Sequence, residues 1–256
     1  MSSKNTVVPF GTRQKAKLCQ KSVRQRKDVR VREPVRPTTG RVVGFYPSTK
    51  NNRLVAWESQ LEQKACALFE FSADVVSYRE QPITIYFESD GQMRRYTPDF
   101  ELRFHDGRSM YLEVKPFAKL QGHSVKRRFQ QVARFWEMHG QQFGVITDIE
   151  LHHPTLQRNL KLLRAHQRIH VPDEVWLRIG HWLRAIGSVT FEQLAELLNS
   201  PTQVYALIAQ QVLHVDLLTP FSPTTTLHSP EGIGHETCLF SYRTAPDFES
   251  HAIPHR

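Results

Sequence analysis

Between Arg95 and Pro116 the apolar residues alternate on both sides of a His105-Asp106-Gly107 turn signal. Phe100, Leu102 and Phe104 precede the turn, and Met110, Leu112 and Val114 follow it. Period two over such runs is the pattern of a β-hairpin with one apolar face. Successive strand side chains point to opposite faces, so Asp99, Glu101 and Arg103 share the other face with Tyr111, Glu113 and Lys115. A two-residue Asp-Gly turn would set apolar residues opposite charged ones, and only an odd-length loop matches the faces. A three-residue loop with Gly107 in the left-handed conformation satisfies this and sets Asp99 across from Glu113.

Carboxylates facing each other across a hairpin lie about 5 Å apart and destabilise it unless a cation sits between them. A hard divalent ion such as Mg²⁺ takes carboxylate oxygens and waters and leaves room for a phosphate. Lys115, two residues beyond Glu113, shares that face. It could orient or deprotonate an attacking water, or neutralise charge developing on a phosphate. Asp99, Glu113 and Lys115 thus point to metal-assisted phosphodiester hydrolysis. The plainer reading is a solvated hairpin face with one cross-strand ion pair.

At 256 residues the chain has room for two modest domains with their own cores. No apolar run reaches membrane-spanning length, and the N-terminus is polar and basic without an apolar signal core, so a cytoplasmic protein with no membrane partner is expected. Cys19, Cys66 and Cys238 lack metal-ligand spacing and read as free thiols, and His152, His153, His166 and His170 lack the partners of a zinc site. The net charge is +9. Most of the excess lies in an arm from Arg13 to Arg36 that holds ten basic residues against Asp28 and Glu33. With almost no apolar periodicity, this arm is expected to be disordered alone and drawn to phosphate backbones.

Arg41–Trp57 carries turn signals at Pro47-Ser48 and Asn51-Asn52. Ser59 and Glu62 then form a capping box for a helix with Leu61, Ala65, Leu68 and Phe69 at helical spacing. Capping need not be the only role of Glu62, because a first-turn carboxylate packed on the hairpin could approach the same metal. Ser72–Gln81 reads as a link to a strand at Ile83–Phe87, which turns at Asp90-Gly91 into the hairpin. A basic helix follows from about Ser124 to His139, with Val125, Phe129, Val132 and Trp136 on one face. Phe143–Thr147 closes a parallel βαβ unit as a buried strand. The order is αβββαβ, a mixed α/β sheet. Candidate DNA contacts are Lys15, Lys17, Lys21, Arg24, Arg26, Lys27 and Arg30 in the arm, with Arg94, Arg95, Lys126, Arg127 and Arg128 in the folded part.

Several of these pieces together resemble the catalytic domain of the TnsA family, the restriction-endonuclease-like subunit of heteromeric cut-and-paste transposons. They are Phe45-Tyr-Pro-Ser, Glu58-Ser-x-Leu-Glu62, Val75-Val-Ser-Tyr-Arg-Glu-Gln-Pro82, Tyr96-Thr-Pro-Asp-Phe100, Glu113-Val-Lys115 and Phe143-Gly-Val-Ile-Thr147. The resemblance implies active-site positions at Glu62, Asp99, Glu113 and Lys115. It implies Mg²⁺, replaceable by Mn²⁺, on Asp99, Glu113 and the Val114 carbonyl, with Glu62 as a further ligand. Some family members carry glutamine where this chain has Glu113. Gln81 falls near the site in such folds, and a structural hydrogen bond is the favoured reading of it.

On this reading residues 1–40 form the basic arm, 41–150 the restriction-endonuclease-like domain, 151–223 a winged helix-turn-helix domain and 224–256 a flexible tail. Helices are expected over Leu156–His170, Val175–Ile186, Thr190–Leu198 and Gln203–Val212, with a wing at Leu213–Pro220. The helix in the recognition position has no arginine or lysine, which fits docking or weak DNA contact better than base readout. The resemblance implies double-stranded DNA at transposon ends, a TnsB-like transposase and a TnsC-like AAA+ ATPase as partners. The implied function is hydrolysis of one strand at the 5′ ends, nucleoid-associated when assembled. A non-catalytic assembly subunit and a stand-alone repair or restriction nuclease are the alternatives.

Overall fold

A computed structural model describes residues 42–89, 91–229 and 239–254. The basic arm, including Lys15, Lys17, Lys21, Arg24, Arg26, Lys27 and Arg30, lies outside the described residues, as do Cys19 and Cys238.

The chain opens with a hairpin, β1 (Gly44–Ser48) and β2 (Arg53–Trp57), followed by α1 (Gln60–Phe71). Next come β3 (Val75–Glu80), a second hairpin of β4 (Ile85–Ser89) and β5 (Gln92–Tyr96), and the hairpin β6 (Phe100–Phe104) and β7 (Ser109–Val114). Short α2 (Phe117–Leu120), α3 (His123–Met138), β8 (Gln142–Ile146) and α4 (Asp148–Leu151) complete this part. Strands β3, β6 and β7 pair antiparallel, and β8 runs parallel to β7, giving a mixed sheet.

The three strands after α1 differ from the expected set. Val75–Glu80, read as a link, is the sheet strand β3, whereas Ile85–Ser89 pairs only with β5 in a separate hairpin. A register shift between Val75 and Ser77 breaks the period-two alternation, so the buried Val75 and Tyr78 fall three positions apart and the strand is masked in the sequence.

Both faces of the sheet are covered. Phe100, Leu102, Phe104, Met110, Leu112 and Val114 join Ala65, Leu68 and Phe69 of α1 in one apolar core. Helix α3 lays Phe129, Val132 and Trp136 over the other face, against Tyr111, Phe143 and Val145. Tyr111 and Trp136 stack with ring centroids 3.7 Å apart. The face that the plainer reading leaves solvated is buried around Tyr111, and Glu101 on it is ion-paired to Arg79 at 2.6 Å.

Helices α5 (Pro154–His166), α6 (Asp173–Ile186), α7 (Phe191–Leu198) and α8 (Pro201–Ala209) follow. Strand β9 (Ser188–Thr190) pairs antiparallel with β10 (Thr226–His228), and His214 bridges to His228 on β10. Thr190 and Gln193 form a capping box on α7, and Ser200 caps α8 with Pro201 in its first turn. These helices share one continuous core with the sheet, running from Tyr46 through Phe69 to Leu207 and Leu227. Gln211 donates to the Phe71 carbonyl at 3.1 Å and Gln167 to Glu70 at 2.9 Å, fastening the end of α1 to this region.

The described residues of the expected flexible tail, 224–229 and 239–254, depart from that expectation. Besides β10, they supply β11 (Tyr242–Arg243) and β12 (His251–Ala252), which extend the central sheet in the order β12-β11-β8-β7-β6-β3. Phe248 is fully buried with its ring 6.1 Å from Phe129. The composition is polar, but a few well-placed aromatics are enough to dock such a segment on a formed sheet edge.

Candidate active site

The Phe104 N–H donates to the Arg108 carbonyl at 3.0 Å, so the ladder closes on the expected three-residue loop His105-Asp106-Gly107. The Gly107 N–H donates to the Phe104 carbonyl at 3.0 Å, and Gly107 has φ +83. Residue pairs run from Arg103 with Ser109 to Phe100 with Leu112, so the next step of the ladder sets Asp99 beside Glu113. At that step Asp99 uses its side chain: Oδ2 accepts from the Val114 N–H at 2.8 Å. In an extended strand the N–H and C=O of one residue face the same edge, so the Val114 carbonyl is on the Asp99 side. The Lys115 N–H, alternating, goes to the Ile146 carbonyl on β8.

Each oxygen of Glu113 is held by a different side chain. Lys115 Nζ lies 2.7 Å from Oε1, and the Tyr96 hydroxyl donates to Oε2 at 2.7 Å. Glu113 is buried, while Lys115 keeps 29% of its side chain exposed. The lysine therefore has access to an incoming group that the carboxylate lacks.

Glu62 is brought to the same place from α1. Ser59 caps the helix by accepting from the Glu62 N–H, while the Glu62 carboxylate reaches back to the Glu58 N–H at 2.7 Å and to the Ser59 hydroxyl at 2.9 Å. Capping and proximity coexist. Burial, only partly offset by those hydrogen bonds, raises the Glu62 carboxyl, and the charges of Glu58 and Glu113 raise it further. Burial, then the negative charges of Glu113 and Glu62, push Asp99 well above the usual carboxylate range, against the Val114 N–H and Lys115. Asp99, Glu113 and Glu62 thus form one electrostatic cluster with Lys115.

Gln81 ties the pieces together. It is buried at φ +41, its N–H donates to the Asp99 carbonyl at 2.8 Å, and its side chain donates to Glu58 at 2.9 Å. It braces the Asp99 backbone and, through Glu58, the start of α1.

The donor set suits a hard, largely hydrated cation. A divalent ion relieves repulsion between neighbouring carboxylates, and the Val114 carbonyl adds a neutral oxygen. Among the described residues no three His, Cys, Asp or Glu side chains converge as a ready-made chelate. Their oxygens are turned to Lys115, Tyr96, Ser59 and backbone N–H groups.

Beside the cluster, β4–β5 and α3 enclose a groove of about 660 Å³ lined by Arg94, Arg95, Arg127 and Arg128 together with His123 and Gln131. Four of the five arginine and lysine positions read from the folded sequence as DNA contacts are gathered there. The fifth, Lys126, is ion-paired to Glu249 of the C-terminal segment at 3.2 Å. The Arg128 guanidinium sits 5.3 Å from the Tyr96 ring centroid. Tyr96 itself was visible in the sequence only as part of a motif. Its signal is local: it is the one buried residue of β5, three positions before Asp99.

A mixed sheet covered by α1 and α3, with acidic and lysine side chains at one strand end, fits a restriction-endonuclease-like core. Residues 72–148 match the model of a family described as TnsA-like endonuclease N terminal, which supports a TnsA-like nuclease and suggests a role in Tn7-like transposition. The match contains Asp99, Glu113, Lys115 and all of α3, and begins after Glu62. No curated protein matches the chain. Among the described residues no helix is long and apolar enough to cross a membrane.

Proposed function

We propose that this protein is a Mg²⁺-dependent DNA endonuclease subunit of a heteromeric transposase that hydrolyses the strand at the 5′ ends of the element during cut-and-paste transposition. The observation that carries this reading is the Asp99–Glu113–Lys115 cluster lying inside the TnsA-like match. Asp99, Glu113 and the Val114 carbonyl would hold Mg²⁺, with Glu62 as a further carboxylate and Mn²⁺ as a substitute ion. When bound, the ion would supply Lewis-acid polarisation and charge neutralisation at the scissile phosphate. Lys115 orients the attacking water, whose oxygen bonds to phosphorus as one ester P–O bond breaks and the leaving oxygen gains a proton. Arg94, Arg95, Arg127 and Arg128 hold the DNA backbone beside the cluster, and the basic arm adds contacts without base preference.

The layout of α6, β9, α7, α8, the His214 bridge and β10 supports a winged helix-turn-helix reading of the second half. Helix α8, in the recognition position, buries Val204 and Ala206 to Ala209, which leaves little side-chain surface for base contacts. We assign this region to docking a TnsC-like ATPase and to weak DNA contact, with sequence choice left mostly to the TnsB-like transposase.

The test is a reconstituted reaction with both partners and end-labelled element DNA. Mg²⁺-dependent cleavage at the 5′ ends is expected, and its loss in Glu113→Ala. Cleavage by Glu113→Ala at the normal rate overturns the site; a wild-type complex that joins 3′ ends but never cuts 5′ ends leaves the assembly-subunit reading.

A further inference from the structure

Tyr96 links the arginine-lined groove to the carboxylate cluster. It is 3% exposed, and its ring is packed edge-on between Phe129 at 6.3 Å and Phe143 at 6.1 Å. One end of this rigid plate donates its hydroxyl to Glu113 Oε2 at 2.7 Å. The guanidinium of Arg128, an exposed groove residue, lies 5.3 Å from the ring centroid. The second donor to Glu113 is tied to the same helix turn, because Lys115 Nζ lies 5.3 Å from the Phe129 ring centroid. Arg128 and Phe129 are consecutive on α3. A shift of that turn therefore reaches both oxygens of Glu113 at once.

We propose that Tyr96 is a positioning residue that sets the Glu113 carboxylate for metal binding, and that Arg128, seated on its ring, makes that setting respond to DNA in the groove. The inference rests on the proposed reading of Glu113 as a metal ligand and of the groove as a DNA site. The alternative for Tyr96 is a core aromatic whose hydroxyl is merely satisfied. The two differ in what loss of one oxygen atom does. Groups that hydrogen-bond a metal ligand govern its orientation, and their removal lowers metal affinity by about 10- to 100-fold. A merely satisfied hydroxyl leaves that affinity alone. Coupling through Arg128 adds a second requirement, since linkage demands that DNA and metal alter each other's affinity by the same factor.

The experiment counts free Mn²⁺ by electron paramagnetic resonance during titration of the full-length protein, with and without a saturating short DNA duplex. Wild type is expected to bind Mn²⁺ and to change affinity at least severalfold when the duplex is added. Tyr96→Phe, which keeps the ring, is expected to bind Mn²⁺ about tenfold more weakly and to lose the duplex effect. Arg128→Ala, an exposed change that spares the core, should lose the duplex effect even at saturating duplex. Arg94→Ala, at another exposed arginine of the groove, should need more duplex for saturation but keep the effect. Melting curves verify that each variant is folded. Tyr96→Phe with wild-type Mn²⁺ affinity overturns the positioning role, and an Arg128→Ala protein that keeps the duplex effect overturns the coupling. Wild-type protein that binds no Mn²⁺, or no duplex, overturns the underlying metal or groove reading, and the inference falls with it.

Discussion

Arg243 and Glu150 form a buried ion pair, with Nη2 2.8 Å from Oε1 and side chains 6% and 2% exposed. The pair joins the C-terminal strand β11 to the capping box of α4, where Glu150 also accepts from the Thr147 N–H and hydroxyl. The Arg243 guanidinium lies 4.4 Å from the Phe117 ring centroid as well. Removing one member of a buried pair strands the other, at a cost of about 3 kcal/mol or more. Arg243→Ala should lower unfolding free energy by about that amount in urea titrations. Removing residues from 239 onward should cost more, because Phe248 is lost with it. Unchanged stability in both would show that the C-terminal segment does not support the sheet.

Glu70 gives a pH signature at the other side of the core. Burial pushes its carboxyl up, but hydrogen bonds from Thr49, Ser48 and Tyr78 outweigh that and hold it below the usual carboxylate range. The folded value is thus depressed, so its stabilisation is fully present above the unfolded value of about 4.3 and is lost as pH falls through the folded one. Glu70→Gln should destabilise at neutral pH by about 2 kcal/mol, since hydrogen bonds to a charged group are lost. The gap between variant and wild type should close as the pH is lowered through that window. A gap that is the same at pH 3 and pH 7 would rule the charge out as its source.

The hairpin holding Asp99 and Glu113 was legible because three independent constraints agree on it: the alternation, the parity of the loop and Gly107 at positive φ. The apolar stripe of α3 and the capping of α1 by Ser59 were legible for the same kind of reason. Strand β3 was not, because its bulge shifts Val75 out of phase with Tyr78. The docking of Tyr242 and Phe248 was hidden too, since isolated aromatics in a polar stretch carry no period. Nor could the sequence show that Tyr96 rather than solvent faces Glu113, since that contact crosses from the β4–β5 hairpin to β7 and is fixed by the packing of α3 and β8.

Replacing Asp99 should separate electrostatics from chemistry. Asp99→Asn keeps an oxygen that can accept from the Val114 N–H but removes one charge from a cluster that Glu113 and Glu62 make mutually repulsive. Without metal the variant should melt at or above the wild-type temperature. With Mg²⁺ the wild type should gain stability, as any ligand selective for the native state confers, and the variant should not. A variant that melts well below wild type without metal would mean that the cluster is not under repulsion.

Lys115→Ala distinguishes a nuclease from an assembly subunit. Lys115 pairs with Glu113 at 2.7 Å yet is partly exposed, so its loss leaves the carboxylates, the groove and the second half of the chain in place. DNA and partner binding should survive while hydrolysis at saturating Mg²⁺ falls by at least 100-fold, the scale on which losing one charge-stabilising group acts. If the protein cuts only its own strand, the partner's 3′ joining continues and the element stays attached to donor DNA. Fused, replicative products should then replace simple insertions. Sequencing both junctions from the variant reaction reads this directly, and simple insertions at the wild-type frequency would mean that Lys115 takes no part in cutting.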